Sequence, residues 1–173
     1  RISAGGRQAT KTVSVSDDPR IDVPAADRRA QRDAMLGLGG LIARLDAAHQ
    51  TAESLQTQLG SLAESLEDVE VPEAVSSVVE SVGDQVDELE DKLARGGGFG
   101  GARPRPLYAR MTRVYGNLNS YTEAPSAFQL ERIDSYAQEL DGLEAELNQL
   151  IADEIANLNT TMEQNGIQAI ATQ

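Results

Sequence analysis

Few side chains in this sequence are of the types that catalyse reactions or bind metals. The chain has one histidine, His49, and no cysteine, which excludes disulfides and thiolate ligands and leaves no basis for a structural zinc site. A single histidine in an apolar helix stripe is either a packing residue or a buried pH-sensitive group, and both interpretations stand for His49. We therefore expect no metal and no cofactor, and we predict that the chain is not an enzyme.

A dense run of carboxylates lies in the middle of the chain. Residues 60–94 contain eleven acidic residues and a single base, Lys92. A calcium loop needs oxygen ligands closely spaced around a central glycine, and that spacing does not occur here. Paired carboxylates for glycoside cleavage must face one cleft, whereas these should line exposed helix faces. The run therefore predicts a solvated acidic surface.

The segment that follows has the opposite charge. Between Arg95 and Thr122 there are five arginines, no acidic residue and four of the six aromatic residues. Arg and Tyr are enriched in the energetically dominant positions of protein interfaces, although these arginines have the alternative of pairing with the acidic helices that flank them. The candidate partner-binding residues are Arg103, Arg105, Tyr108, Arg110, Arg113, Tyr115 and Tyr121.

The composition favours one helical domain. The chain has 173 residues and is 40% hydrophobic, but it is only 3% aromatic and lacks Trp. A core of Leu, Val, Ile and Ala suits helices that pack along apolar stripes. The net charge of −13 opposes binding to phosphate backbones and to anionic lipid, so nucleic acid is not an expected partner. No apolar run approaches the roughly 20 residues that span a bilayer.

Apolar residues recur at alternating spacings of three and four, the heptad pattern of helices that pack in coiled-coil fashion. The pattern predicts long helices over 24–70 and 125–164 and shorter helices over 72–95 and 107–118, with a Gly/Pro loop over 96–106. Predicted core positions include, in the order of these helices along the chain, Ile42, His49 and Val69; Val75, Val79, Val82, Val86, Leu89 and Leu93; Met111 and Leu118; and Phe128, Tyr136, Leu147, Ile151 and Ile155.

Helix lengths suggest how these elements assemble. At about 1.5 Å per residue, the first and last helices are roughly 60–68 Å long, and the two shorter helices together nearly match them. We therefore predict a mainly α fold over residues 19–173. It is an elongated, up-down-up three-helix bundle, coiled-coil-like, whose middle helix is interrupted by the glycine-rich loop.

Residues 1–18 have a different pattern. Gly5-Gly6 is a turn signal, and Thr and Val alternate with other residues from Gln8 to Ser16, which is typical of a strand. Because an isolated hairpin is only marginally stable in water, we predict that these are the terminal strands of an incomplete β-sandwich that lies mostly upstream.

Four short motifs carry a resemblance to a known family. They are Asp18-Pro19-Arg20, Leu107-Tyr108-Ala109-Arg110, Tyr115-Gly116-Asn117-Leu118 and Glu123-Ala124-Pro125-Ser126. Together they resemble the C-terminal helical region of large bacterial sortilin-like β-propeller proteins, which are often labelled as neuraminidase-repeat or glycosyl hydrolase proteins. The resemblance implies export across the inner membrane, to the periplasm or the extracellular space. It transfers no hydrolase residue, because the propeller is absent.

These observations predict a structural or interaction module. We expect a processed C-terminal fragment that docks as an accessory subunit on an extracytoplasmic protein assembly, such as the outer face of a membrane complex. The alternative is a stabilising C-terminal accessory domain of a secreted β-propeller hydrolase-like protein. A remaining possibility is homo-oligomerisation through an exposed apolar helix stripe.

Overall fold

The computed structural model describes residues 2–16, 18, 20, 22–66, 71–94 and 106–171. A hairpin of β1 (Ile2–Ala4) and β2 (Arg7–Ala9) comes first. The helices that follow are α1 (Ala25–Leu66), α2 (Glu73–Leu93), α3 (Leu107–Ser120), α4 (Ala127–Leu150), a π-helical turn (Ile151–Ile155) and α5 (Ala156–Gln164). The predicted mainly helical, up-down bundle is confirmed.

The longest helix, α1, is the axis of the bundle. Its 42 residues span about 63 Å, and α2, α3 and α4 all pack against it. Along α2, Gln56 bonds to Asp87 and His49 lies beside Glu90. Along α3, Gln31 bonds to the carbonyl of Leu118 and Gly39 lies beside Tyr115. Because residue numbers rise on α1 as they fall on its partner, α2 and α3 both run antiparallel to α1. The two shorter helices therefore cover α1 one after the other, as the interrupted middle helix requires.

The core is almost entirely aliphatic. In α2, the six positions with the heptad spacing are all buried, as predicted: Val75, Val79, Val82, Val86, Leu89 and Leu93. Among the described residues, Tyr136 is the single buried aromatic side chain. Aliphatic side chains at alternating spacings of three and four keep one continuous stripe in contact with neighbouring helices. The spacing of apolar residues in the sequence therefore predicted the buried positions of α2 correctly.

In α1 the buried positions follow one unbroken alternation of three and four: Leu38, Leu41, Leu45, Ala48, Ala52, Leu55, Leu59 and Leu62. The predicted core positions Ile42 and His49 are only half-buried, whereas Leu41 and Ala48 are buried. Each of the two predicted residues directly follows a buried one and lies about 100° around the helix from it, so it flanks the buried stripe. The predicted core position Val69 lies outside the described residues.

The last helix departs from the prediction in two places. Phe128 is 64% exposed, because it precedes Ile133 by five residues and so lies about 140° around the helix from it at 3.6 residues per turn. The π-helical turn at residues 151–155 adds a residue to one turn. Leu150 and Ile155 are consequently the buried positions, and the predicted Ile151 is half-buried.

The predicted hairpin is confirmed, with Gly5 and Gly6 at its turn and φ values of 55° and 74°. Two successive positive φ angles are the requirement of a type I′ turn, which glycine meets at little cost. The strand predicted over residues 8–16 is wrong beyond Ala9, because a strand needs a partner for its backbone hydrogen bonds and residues 10–16 pair with none among the described residues. Val13 and Val15 are consequently 75% and 95% exposed.

A short C-terminal tail folds back on the bundle. Gly166, with a φ of 69°, ends α5 in the left-handed conformation that glycine adopts readily. Gln58 then exchanges two hydrogen bonds with the backbone of Ala171, at 2.7 and 3.0 Å. Asn159 does the same with Ile170, at 2.9 and 3.0 Å. Each of the two side-chain amides thus donates one hydrogen bond to the backbone of the tail and accepts one from it.

The aliphatic core predicts a clear mutational contrast along α1. Leu45 is fully buried, so Leu45→Ala should lower the free energy of unfolding by about 2–5 kcal/mol through lost transfer energy and a residual cavity. Leu36 lies on the same helix but is 68% exposed, and Leu36→Ala should change it by less than about 0.5 kcal/mol. Urea unfolding followed by circular dichroism measures both. Equal losses at the two positions would contradict the assignment of the core.

Candidate partner-binding cleft

An open cleft of about 890 Å³ lies between α3 and the first turns of α4. The short connection between α3 and α4 forms one side of the cleft. Gln31 of α1 holds this connection in place by donating hydrogen bonds to the carbonyls of Leu118 and Tyr121. Ser126 and Gln129 then start α4 with a reciprocal capping box. The lining side chains with polar or aromatic groups are Arg110, Arg113, Asn117, Tyr121, Glu123, Ser126, Phe128, Gln129, Arg132 and Tyr136.

Arg110 is part of the internal structure of the cleft. Its guanidinium pairs with the carboxylate of Glu139 on α4 and lies 5.4 Å from the ring centroid of Tyr136, which is itself buried. Cation–π contact and charge pairing act together here because both partners lie on the neighbouring helix. Arg110 therefore links α3 to α4.

Arg113 and Arg132 have a different environment. Both are exposed, and neither forms an ion pair with any residue that the structure describes. The guanidinium of Arg132 lies 5.1 Å from the ring centroid of Phe128. Phe128 is 64% exposed and Tyr121 is 68% exposed. The cleft thus presents two exposed rings beside two guanidinium groups that form no ion pair within the described part of the chain.

The structure separates the seven residues predicted to bind a partner. Three of them, Arg110, Arg113 and Tyr121, line the cleft. Tyr108 is half-buried against the core, and Tyr115 points to α1, where its Cε2 atom lies 4.0 Å from the position that a Cβ would take at Gly39. The remaining two, Arg103 and Arg105, lie outside the described residues, as does most of the predicted Gly/Pro loop.

Three residues that line the cleft escaped the sequence-based prediction. Phe128 and Tyr136 were assigned to the core of the last helix, and Arg132 was not singled out. The signal that identifies them is their spacing, because residues i, i+4 and i+8 lie on one face of a helix. A ring, a guanidinium and a second ring therefore follow one another along α4.

The electrostatics of the cleft differ from those of the whole chain. The chain carries a net charge of −13, but the cleft contains three arginines against one carboxylate, Glu123, among its lining residues. The N-terminus of α4 adds a partial positive charge. Guanidinium groups beside exposed rings suit the cleft to attracting carboxylates and apolar groups.

His49 is half-buried between α1 and α2, with 18% of its side chain exposed. Its Nδ1 atom lies 3.4 Å from Glu90 Oε1 and has no hydrogen-bond partner among the described residues. No set of three or more His, Asp or Glu side chains converges as a metal site in the described ranges. None of the helices that the structure describes combines the length and the apolar character needed to cross a membrane.

Comparisons of the chain with family models, with curated proteins and with solved structures find no match. The resemblance to sortilin-like propeller proteins stays a prediction. The geometry of the cleft is consequently the observation from which a function is proposed.

The two cleft arginines of α3 should differ in their effect on stability. Arg110→Met removes an ion pair and a cation–π contact between helices and should lower the free energy of unfolding by about 1 kcal/mol. Arg113→Met removes no such contact and should leave it within about 0.5 kcal/mol. Urea unfolding at neutral pH compares the two variants directly. A larger loss for the Arg113 variant would show that these roles are assigned the wrong way round.

Proposed function

We propose that this chain is a non-catalytic interaction module that binds a partner protein through the cleft between α3 and α4. The supporting observation is the pair of exposed rings, Tyr121 and Phe128, beside Arg113 and Arg132. Exposed rings and arginines in one concave site are the residue types that dominate binding energy in protein interfaces.

The rings are large enough to drive association. An aromatic side chain buries about 150–250 Å², and roughly two thirds of each ring residue is still accessible. Covering both would remove about 260 Å² of surface, which is worth about 6 kcal/mol before the costs of association. The guanidinium groups would orient a partner that places carboxylates opposite them.

The cellular setting of this proposal comes from the resemblance to sortilin-like proteins. It supports a processed C-terminal fragment that acts as an accessory subunit on an extracytoplasmic protein assembly, in the periplasm or outside the cell. The net charge of −13 supports a protein partner rather than nucleic acid.

The hairpin favours a second candidate, an accessory domain that stabilises a β-propeller hydrolase-like protein. Val13 and Val15 project into solvent immediately after β2. A two-stranded hairpin gains stability when further strands extend it, so these residues are suited to joining a larger sheet.

Charge reversal in the cleft tests the proposed function. The double substitution Arg113→Glu with Arg132→Glu should lower the amount of partner protein that stays bound at least about tenfold. The reason is that each substitution places a carboxylate opposite a carboxylate of the partner. The matched control is Lys11→Glu with Arg29→Glu, which makes the same change in net charge at exposed residues outside the cleft lining.

The measurement is a mild native purification of the full chain from its source, followed by intact masses of the companions that remain bound. Companions retained by the wild type and the control but lost from the cleft variant support the proposal. The same companions in equal amounts on all three proteins would refute it. Recovery of this segment only as the end of a much larger chain would favour the accessory-domain alternative.

A further inference from the structure

A second groove lies between α1 and α2, far from the cleft. It has a volume of about 520 Å³, and Gly60 of α1 contributes to it. Gln31, which fastens the cleft, is 29 positions earlier on the same helix, a separation of about 43 Å along the axis. One molecule therefore cannot bring its own cleft and groove together.

The floor of this groove is apolar and open. Leu59 and Val79 form its base and are 4% and 5% exposed, Leu66 is half-buried, and Gly60 and Gly83 lie beside them. A Cβ atom at either glycine would meet no other atom within 4 Å. Glycine destabilises a helix interior by about 1 kcal/mol relative to Ala, and packing between α1 and α2 does not require it here. Because glycine has no side chain, both positions leave space in the groove for side chains of another molecule.

The rim of the groove is acidic. Glu80, Asp84 and Asp87 line it, and Asp87 is fixed by a hydrogen bond of 2.8 Å from Gln56. Lys and Arg are absent from its lining residues. The carboxylates at the edge of this groove are opposite in charge to the guanidinium groups that lie beside the exposed rings of the cleft.

We propose that a second copy of this chain occupies the groove, so that molecules associate head to tail. Tyr121 and Phe128 of one copy cover the open floor at Gly60 and Gly83 of the next. Arg113 and Arg132 then face the acidic rim. This inference rests on the proposed function of the cleft and names its partner as another molecule of the same chain.

The arrangement has a definite symmetry. The two contacting surfaces are different, so the interface is heterologous, and repeating it generates open chains, or rings where the rotation closes, rather than a two-fold symmetric dimer. Repulsion between the net charges of two copies is screened beyond about 8 Å at physiological ionic strength. The opposite charges in direct contact therefore decide whether two molecules associate.

Two variants block opposite ends of the contact. Arg113→Glu with Arg132→Glu disables the cleft and leaves the groove intact. Gly60→Leu with Gly83→Leu fills the groove and leaves the cleft intact, and it should preserve the fold, because leucine favours helix and both positions are open. Thermal unfolding followed by circular dichroism verifies that each variant remains folded.

Sedimentation velocity of the full chain over a range of concentrations gives the result. The wild type should form species larger than a dimer as concentration rises, and each variant alone should self-associate at least about 30-fold more weakly. An equimolar mixture of the two variants should form a dimer and nothing larger, because one intact cleft meets one intact groove and both remaining ends are blocked.

The alternative outcomes are distinguishable. A wild type that stays monomeric, or a mixture that forms no dimer, overturns head-to-tail association. If the cleft variant nevertheless loses companion proteins other than this chain in native purification, the proposed function of the cleft stands and only the head-to-tail association is overturned. Self-association that is unchanged in the cleft variant overturns the head-to-tail contact, and retention of all companions by that variant then overturns the proposed function as well.

Discussion

Burial of the aliphatic face of α1 is the constraint on which the rest of the structure depends. The helix is 42 residues long, and α2 has only 21, so a second helix must cover the remaining length. Packing of α3 there gives the interrupted middle layer. It also places the connection to α4 beside the start of α1, where Gln31 fastens it. The cleft thus forms because two successive helices, α2 and α3, are needed to cover the apolar face of α1.

An aliphatic core leaves most of the aromatic residues available for the surface. Side chains such as Leu45 and Leu140 fill the core, and Tyr136 is the one ring buried among the described residues. Tyr121 and Phe128 are largely exposed at the same end of the molecule. Large exposed rings cost free energy in water and are not needed for packing here. Their concentration beside the cleft is therefore better explained by binding than by folding.

Sequence periodicity predicted those parts of the fold that depend on one helix at a time. The six core positions of α2 follow from their spacing alone, and so does the turn at Gly5-Gly6. The cleft depends on how two helices are rotated and separated, and local patterns do not determine that. The pairing of Arg110 with Glu139 joins residues 29 positions apart. Phe128 was assigned to the core as the first member of the apolar stripe of the last helix, whereas its spacing to Ile133 places it on another face.

Arg110 and Arg113 lie on the same helix, and their surroundings differ: the first stabilises the packing of α3 on α4, and the second is the one that the proposed function assigns to a partner. Residues three apart on a helix lie on neighbouring parts of its surface, yet Arg110 reaches a carboxylate and a buried ring on α4, and Arg113 reaches solvent. The first arginine has lost much of its hydration to internal partners, so an outside ligand gains little from it. The second retains a full charge with no counter-ion on the described surface. In the proposed function, recognition therefore depends on charges that folding leaves uncompensated among the described residues, such as that of Arg113.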